Sequence, residues 1–193
     1  WYTPQEIVDY QVERVDRVLR EELGVRAGLA DPLVHVLDPC CGTGAYLVAV
    51  LRRIDRTLRE RGEEALVGQE LRQAVQSRIH GFEILPAPFV VAHLQLGLLL
   101  TELGAPLSPK ERAGVYLTNS LTGWAASTEP RQPSLWPELQ EEADAAAEVK
   151  REAPILVVLG NPPYNAFAGI SPEEEGGLVE PYKTGLAETW GVK

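Results

Sequence analysis

Four short apolar, β-rich runs, at residues 33–37, 79–84, 114–118 and 155–159, alternate with longer stretches whose apolar residues recur every three or four positions. Strands joined through helices lie parallel, and a parallel sheet is covered by helices on both faces. The expected fold class is therefore α/β, a mainly parallel sheet flanked by helices. Ligands of such sheets bind in the crevice beyond the carboxyl ends of the strands. Chemistry is expected just after residues 37, 84, 118 and 159.

The helical stretches carry their own punctuation. Thr3-Pro4-Gln5-Glu6 reads as a helix start, with Thr3 as the cap, Pro4 in the first helical position and Glu6 completing a capping box. Val8, Val12, Val15 and Leu19 follow at helical spacing, and Gly24 ends the run. A second helix carries Leu47, Leu51, Ile54 and Leu58 on one face. Arg52, Arg53, Arg56 and Arg59 fall mainly on the other, expected to be a solvated face and not a DNA patch. Further helices are expected at 63–77, 86–103 and 137–151, with 122–137 as loop. Residues 1–165 are assigned to one core and 166–193, polar and rich in glycine and proline, to a loop or poorly ordered continuation. A chain that opens on Trp1 and holds no methionine is expected to be a piece of a longer protein, its sheet incomplete at the C-terminal side.

Composition narrows the functional classes. Eighteen basic against 28 acidic residues give a net charge of −10. Nucleic-acid binders carry a basic face, so contact with DNA is expected largely through regions outside this segment. The two cysteines, Cys40 and Cys41, are adjacent. Neighbouring cysteines rarely bridge and no second pair supplies a zinc site, so a reduced, cytoplasmic protein is expected. The most apolar stretch, 89–103, is interrupted by His93, Gln95 and Glu102, too short and polar for a membrane span. His35, His80 and His93 have no metal-ligand spacing and are expected to be satisfied or surface histidines. No metal is expected. Trp124, Trp136 and Trp190 are assigned to packing in preference to base stacking.

Three strand ends carry candidate chemistry. Asp38-Pro39-Cys40-Cys41-Gly42-Thr43-Gly44 follows the first strand and precedes a helix, a generic nucleotide-binding turn in which glycines admit a ligand to the backbone. The third glycine of a dinucleotide turn and the lysine of a phosphate loop are both missing. Asp38 would repel a pyrophosphate and suit an ammonium or sulfonium; the plainer alternative is a simple strand–helix turn. Glu83, closing the second strand, is placed to accept both hydroxyls of a ribose, or is a surface glutamate. After the fourth strand comes Asn161-Pro162-Pro163-Tyr164. Two prolines withdraw two N–H donors and stiffen the backbone. The carbonyls of Asn161 and Pro162, with the Asn161 side-chain oxygen, are then acceptors for a planar NH₂ group, and Tyr164 offers a stacking face. An extended Pro-Pro-Tyr ligand for a small recognition domain is the alternative.

Asn-Pro-Pro-Tyr preceded by Asp-Pro-x-Cys-Gly-Thr-Gly resembles the amino-methyltransferases that act on adenine N6 in DNA. Tyr2-Thr3-Pro4 upstream of the turn resembles the subclass in which an upstream motif helps hold the cofactor. Gly81-Phe82-Glu83-Ile84-Leu85-Pro86 and Gly160-Asn161-Pro162-Pro163-Tyr164-Asn165 resemble the methylase region of large single-chain restriction–modification enzymes. The resemblance covers residues 1–165. It implies a Rossmann-like, S-adenosylmethionine-dependent fold. Tyr2, Thr3 and Pro4 would contact the methionine moiety. Asp38, Cys40 and Gly42, with Pro39 and Gly44 of the same turn, would line the cofactor's amino-acid end. Glu83 would take its ribose, and Ile84 would pack on its adenine. Asn119, after the third strand, stands where the family commonly has an aspartate reading the adenine amino group. Asn161, Pro162, Pro163 and Tyr164 would hold the target adenine, flipped from double-stranded DNA. Hydrogen bonds from its amino group to Asn161 and Pro162 would leave the nitrogen lone pair available for methylation. The same tetrapeptide also occurs in enzymes that methylate protein glutamine N5, and a cofactor-binding segment without activity of its own is a further alternative.

Overall fold

The computed structural model describes residues 3–122 and 137–163. The chain divides into two compact units, Trp1–Pro162 and Pro163–Lys193. Of the second only Pro163 is described, and the architecture is that of the first.

Helix α1 (Gln5–Glu21) leads into β1 (His35–Asp38), α2 (Ala45–Glu60), α3 (Val67–Ser77), β2 (Ile79–Glu83), α4 (Pro86–Glu102), β3 (Val115–Leu117), α5 (Pro137–Glu152) and β4 (Ile155–Val158). The four strands form one parallel sheet in the order β3-β2-β1-β4. The chain steps outward from β1 through β2 to β3, then crosses back to place β4 on the far side of β1. Between β1 and β4 the direction of winding reverses. That is the topological switch point, the place at which ligands of such sheets bind. The expected α/β, Rossmann-like class is the one observed.

Successive residues of β2 face opposite sides of the sheet. A side chain at Gly81 would meet Leu47 of α2 at 2.7 Å, whereas the next residue, Phe82, has the Lys150 ammonium of α5 at 5.2 Å from its ring. Helices α2 and α5 therefore cover opposite faces. The core is built from the residues the helical spacing singled out, with Leu47, Leu51, Ile54 and Leu58 of α2 and Val8, Val12 and Leu19 of α1 all buried.

Several expectations need correction. The capping box at Thr3–Glu6 does not form. Pro4 is the cap of α1, no side chain closes it, and the Thr3 hydroxyl is engaged elsewhere, accepting a hydrogen bond from Asn161 Nδ2 at 3.0 Å. The stretch expected as one helix over 63–77 opens with a 3-10 turn, Glu64–Leu66, before α3. The arginine row of α2 is solvated at Arg52, Arg56 and Arg59, each about half exposed, and departs from that expectation at Arg53 alone. Arg53 is 12% exposed and bonds Asp16 at 2.8 Å, Arg56 pairs with Glu13 at 2.5 Å, Arg52 with Glu102 at 2.9 Å and Arg59 with Asp55 at 2.8 Å. Asp16, 2% exposed, also accepts from Arg20 Nε and from the Leu29 N–H, each at 2.8 Å. Two guanidiniums and a backbone donor around one carboxylate compensate its burial and lock α1 to α2.

His80 is neither a surface nor a satisfied histidine. It is buried, stacks on His35 at 5.9 Å, and neither ring nitrogen makes a well-formed hydrogen bond. Burial, with His35 beside it, pushes its pKa down to about 4, against the Ser77 backbone, which works the other way. Among the described residues no His/Cys/Asp/Glu group could hold a metal ion, and no helix is long and apolar enough to cross a membrane. Trp124, Trp136 and Trp190 lie outside the described residues.

Candidate functional site

Strand β1 ends on Asp38, whose carboxylate is 1% exposed. Its Oδ1 accepts the Cys40 N–H at 3.1 Å, while its Oδ2 is buried without a hydrogen-bond partner. The neighbouring chain comes close because it has no side chain there: a Cβ on Gly160 would lie 2.4 Å from Asp38 Oδ1. The Leu159 N–H donates to the Leu37 carbonyl at 2.9 Å, carrying the β4 pairing up to this point. Asn161, two residues further on, thus emerges beside the tip of β1, at the switch point. Burial raises the Asp38 pKa to about 7, with the Glu83 carboxylate adding to the rise and the Cys40 N–H opposing it. A buried acid shifted in this way at a strand end is a functional-site candidate.

The turn after β1 needs glycine at Gly42, where φ is +54° and a side chain would project into open space. Its N–H donates to Glu83 Oε2 at 2.9 Å, and the Leu85 N–H donates to Glu83 Oε1 at 2.8 Å. Glu83, at the end of β2, therefore clamps the β1–α2 turn to the start of α4. Each carboxylate oxygen keeps a further lone pair for a ligand. Ile84 follows, 61% exposed, an apolar surface just beyond the end of β2. Cys40 is half-buried and Cys41 buried. Burial and the two carboxylates raise both thiols, Cys40 to about 12.

Beyond β3, Asn119 closes a tight turn in which its Oδ1 accepts the Leu121 N–H at 2.9 Å. The adjacent Ser120 hydroxyl donates to the Pro39 carbonyl, which ties this loop to the β1 turn. The Thr118 N–H donates to the Glu83 carbonyl at 2.8 Å. Residues 38–42, 83–85, 118–122 and 159–161 therefore form one connected rim along the carboxyl ends of the four strands.

Of the residues singled out in the sequence, Pro39, Asp38, Cys40, Gly42, Glu83, Ile84, Asn119 and Asn161 belong to this rim. Gly44 caps α2 at φ +90°. Thr3 joins through its bond to Asn161, and Pro4 follows it at the head of α1. Pro162 is exposed, and Pro163 opens the second unit. Tyr2 and Tyr164 lie outside the described residues. Gly160, Ser120 and Lys150 were not singled out. Gly160 carried a signal, a glycine wedged between a buried strand and the motif. Lys150, at the end of an Ala/Glu-rich helix, reads as solvated and gave none.

Comparison with known proteins bears on the same residues. The family model described as N-6 DNA Methylase matches residues 1–94, just under half of the chain. No curated protein matches by sequence. Among solved structures, the chain is similar to a nuclease-deletion mutant of the Type ISP restriction-modification enzyme LlaGI in complex with a DNA substrate mimic, with 27% identity and a TM-score of 0.68 over 85% of this chain and 13% of that one. It is similar to the ATP-dependent Type ISP restriction-modification enzyme LlaBIII bound to DNA, with 25% identity and a TM-score of 0.70 over 98% of this chain and 12% of that one. A DrdV–DNA complex aligns over 86% of this chain and 14% of that one, with 25% identity and a TM-score of 0.65. The chain thus spans about an eighth of the length of these relatives.

Proposed function

We propose that this chain, which resembles the N-6 DNA methylases over residues 1–94 and restriction–modification enzymes in its fold, is the cofactor-binding part of an adenine-N6 DNA methyltransferase. The observation that carries the reading is the buried, unpartnered Oδ2 of Asp38 at the switch point, on a carboxylate packed against Gly160, the residue that precedes the Asn-Pro-Pro sequence. A ligand bearing an ammonium or sulfonium suits that oxygen, and S-adenosylmethionine bears both. Asp38, with Pro39, Cys40, Gly42 and Gly44, would hold its amino-acid end, and Thr3 and Pro4, with Tyr2, would stand by its methionine moiety. Glu83 would take the ribose through its remaining lone pairs. Ile84 and Asn119 would face the adenine. When bound, S-adenosylmethionine supplies an activated methyl group.

The chain's own contribution is positioning. The Asn161 side chain and the carbonyls of Asn161 and Pro162 would accept the two amino hydrogens of the target base. Pro163 stiffens the backbone that carries those carbonyls, and Tyr164 is assigned to stack on the base. Fixed acceptors of this kind orient the amine and stabilise positive charge growing on its nitrogen. Neither cysteine is assigned a nucleophilic role, since burial and the neighbouring carboxylates keep both thiols protonated. The target adenine would be flipped out of double-stranded DNA, and duplex contacts would come largely from regions other than this acidic segment. The core is proposed to run to residue 165, with 166–193 as its continuation.

The test is transfer of labelled methyl from S-adenosylmethionine by the full-length protein. Label is expected in DNA adenine; label in protein glutamine would point instead to the glutamine-N5 reaction. Asn161→Ala is expected to lower transfer by two orders of magnitude or more, about the cost of losing a preorganised charge-stabilising group, while leaving cofactor affinity within a few-fold. An equal loss of both would remove Asn161 from its assigned role.

A further inference from the structure

Lys150 is a buried ammonium near the end of α5, 8% exposed. Its Nζ donates three hydrogen bonds, to Thr118 Oγ1 at 2.8 Å, the Asn119 carbonyl at 2.7 Å and the Thr122 carbonyl at 2.7 Å. It also stands over the Phe82 ring at 5.2 Å, one residue before Glu83. No ion pair to a carboxylate joins these contacts among the described residues. Burial accordingly pushes its pKa down. A lysine at a helix end normally extends its ammonium into water, where it costs nothing to solvate. Here three convergent oxygens replace that water, and all three belong to the loop that carries Asn119.

The same loop is held at its other side by the Ser120 hydroxyl on the Pro39 carbonyl. Its geometry is therefore set from two directions, by α5 on one side and by the β1 turn on the other. Lys150 bonds the backbone carbonyl of Asn119 and not its side chain, whose Oδ1 accepts the Leu121 N–H and keeps a second lone pair for a ligand.

We infer that Lys150 is a positioning residue for the cofactor site, fixing the 118–122 loop so that Asn119 addresses the adenine end of the cofactor. The inference rests on the proposed cofactor reading. It adds to that reading a residue from the helix on the opposite side of the sheet from α2, one that touches no ligand itself.

The test is a double-mutant cycle on affinity for S-adenosylhomocysteine, measured by calorimetry, with thermal melting run in parallel. Lys150→Met and Asn119→Ala are each expected to weaken binding about ten-fold, the size of one lost hydrogen bond to a fixed partner. Asn119→Ala keeps the carbonyl that Lys150 bonds. The double variant is therefore expected to bind no more weakly than either single one, because Lys150 acts through that side chain. A merely structural role would lower the melting temperature without this coupling. Two results overturn the inference and leave the cofactor reading standing: a folded Lys150→Met that binds as tightly as the wild type, or losses that add in the double variant. Failure of the wild type to bind S-adenosylhomocysteine overturns both. Should Lys150→Met not fold, Thr118→Val removes one acceptor and keeps the ammonium. It is expected to weaken binding about three-fold, with no further loss in the Asn119→Ala background, and an unchanged affinity overturns the inference.

Discussion

Burial holds the Asp38 carboxyl near pH 7, with the Glu83 charge reinforcing it and the Cys40 N–H pulling the other way. The folded state therefore prefers the protonated acid. Its stabilising contribution is complete below pH 3.8, the unfolded value, and is lost as pH rises through about 7. Asp38→Asn is expected to melt with the wild type at about pH 4 and several degrees above it at about pH 8, as read by circular dichroism. Equal melting temperatures at both ends would mean that the carboxyl is solvated. The same titration has a functional side. Affinity for S-adenosylmethionine is expected to rise between about pH 6 and pH 8 in the wild type, as the carboxylate forms opposite the ligand's cationic groups, and to stay flat in Asp38→Asn. Cys40 is pushed up to about 12 by burial and by its two acidic neighbours. It is expected to resist iodoacetamide at about pH 8 in the folded protein and to react after unfolding. Labelling at the rate of a free thiol would place it outside the acidic cleft.

Strands β1 and β4 approach closely at their carboxyl ends because Gly160 leaves room for Asp38. Gly160→Ala sets a methyl 2.4 Å from Asp38 Oδ1 and is expected to cost about 1–3 kcal/mol in urea unfolding, as overpacking does. Helices α1 and α2 meet through Asp16, which two guanidiniums share. Asp16→Ala leaves Arg53 with Glu13 and Glu60 at 3.7 Å and Arg20 with Thr57 and two carbonyls, but frees the buried Leu29 N–H, and is expected to cost about 1–3 kcal/mol. A loss under about 1 kcal/mol would mean that water already screens the cluster. These elements also show what could be read from the chain. The buried face of α2 was legible because Leu47, Leu51, Ile54 and Leu58 repeat with the helical turn. The partners of its arginines were not, because Asp16 and Glu13 come from a helix whose approach only tertiary packing decides. Thr3 was misread for a similar reason. Its local sequence favours a cap, but a residue 158 positions away takes the hydroxyl.

For the molecule as a whole, the four strand ends were legible because each apolar run stops at a polar or glycine-bearing motif. The order β3-β2-β1-β4 was not, since local sequence says nothing of which side of β1 the last strand joins. The role of Lys150 depends on that same crossover, which brings α5 beside the 118–122 loop. With a net charge of −10, this chain alone is expected to bind duplex DNA weakly, with micromolar or poorer affinity at physiological salt. Nanomolar binding in a fluorescence-anisotropy titration would require a basic patch that its charge balance does not suggest. The central claim is that the tips of the four strands surround one cofactor pocket. It is tested most directly by following backbone amide resonances as S-adenosylhomocysteine is added. The largest shifts are expected together at Gly42, Leu85, Leu121 and Asn161. Shifts confined to the groove between α1 and α2, around Asp9, Glu13 and Arg56, or no shifts at all, would contradict it.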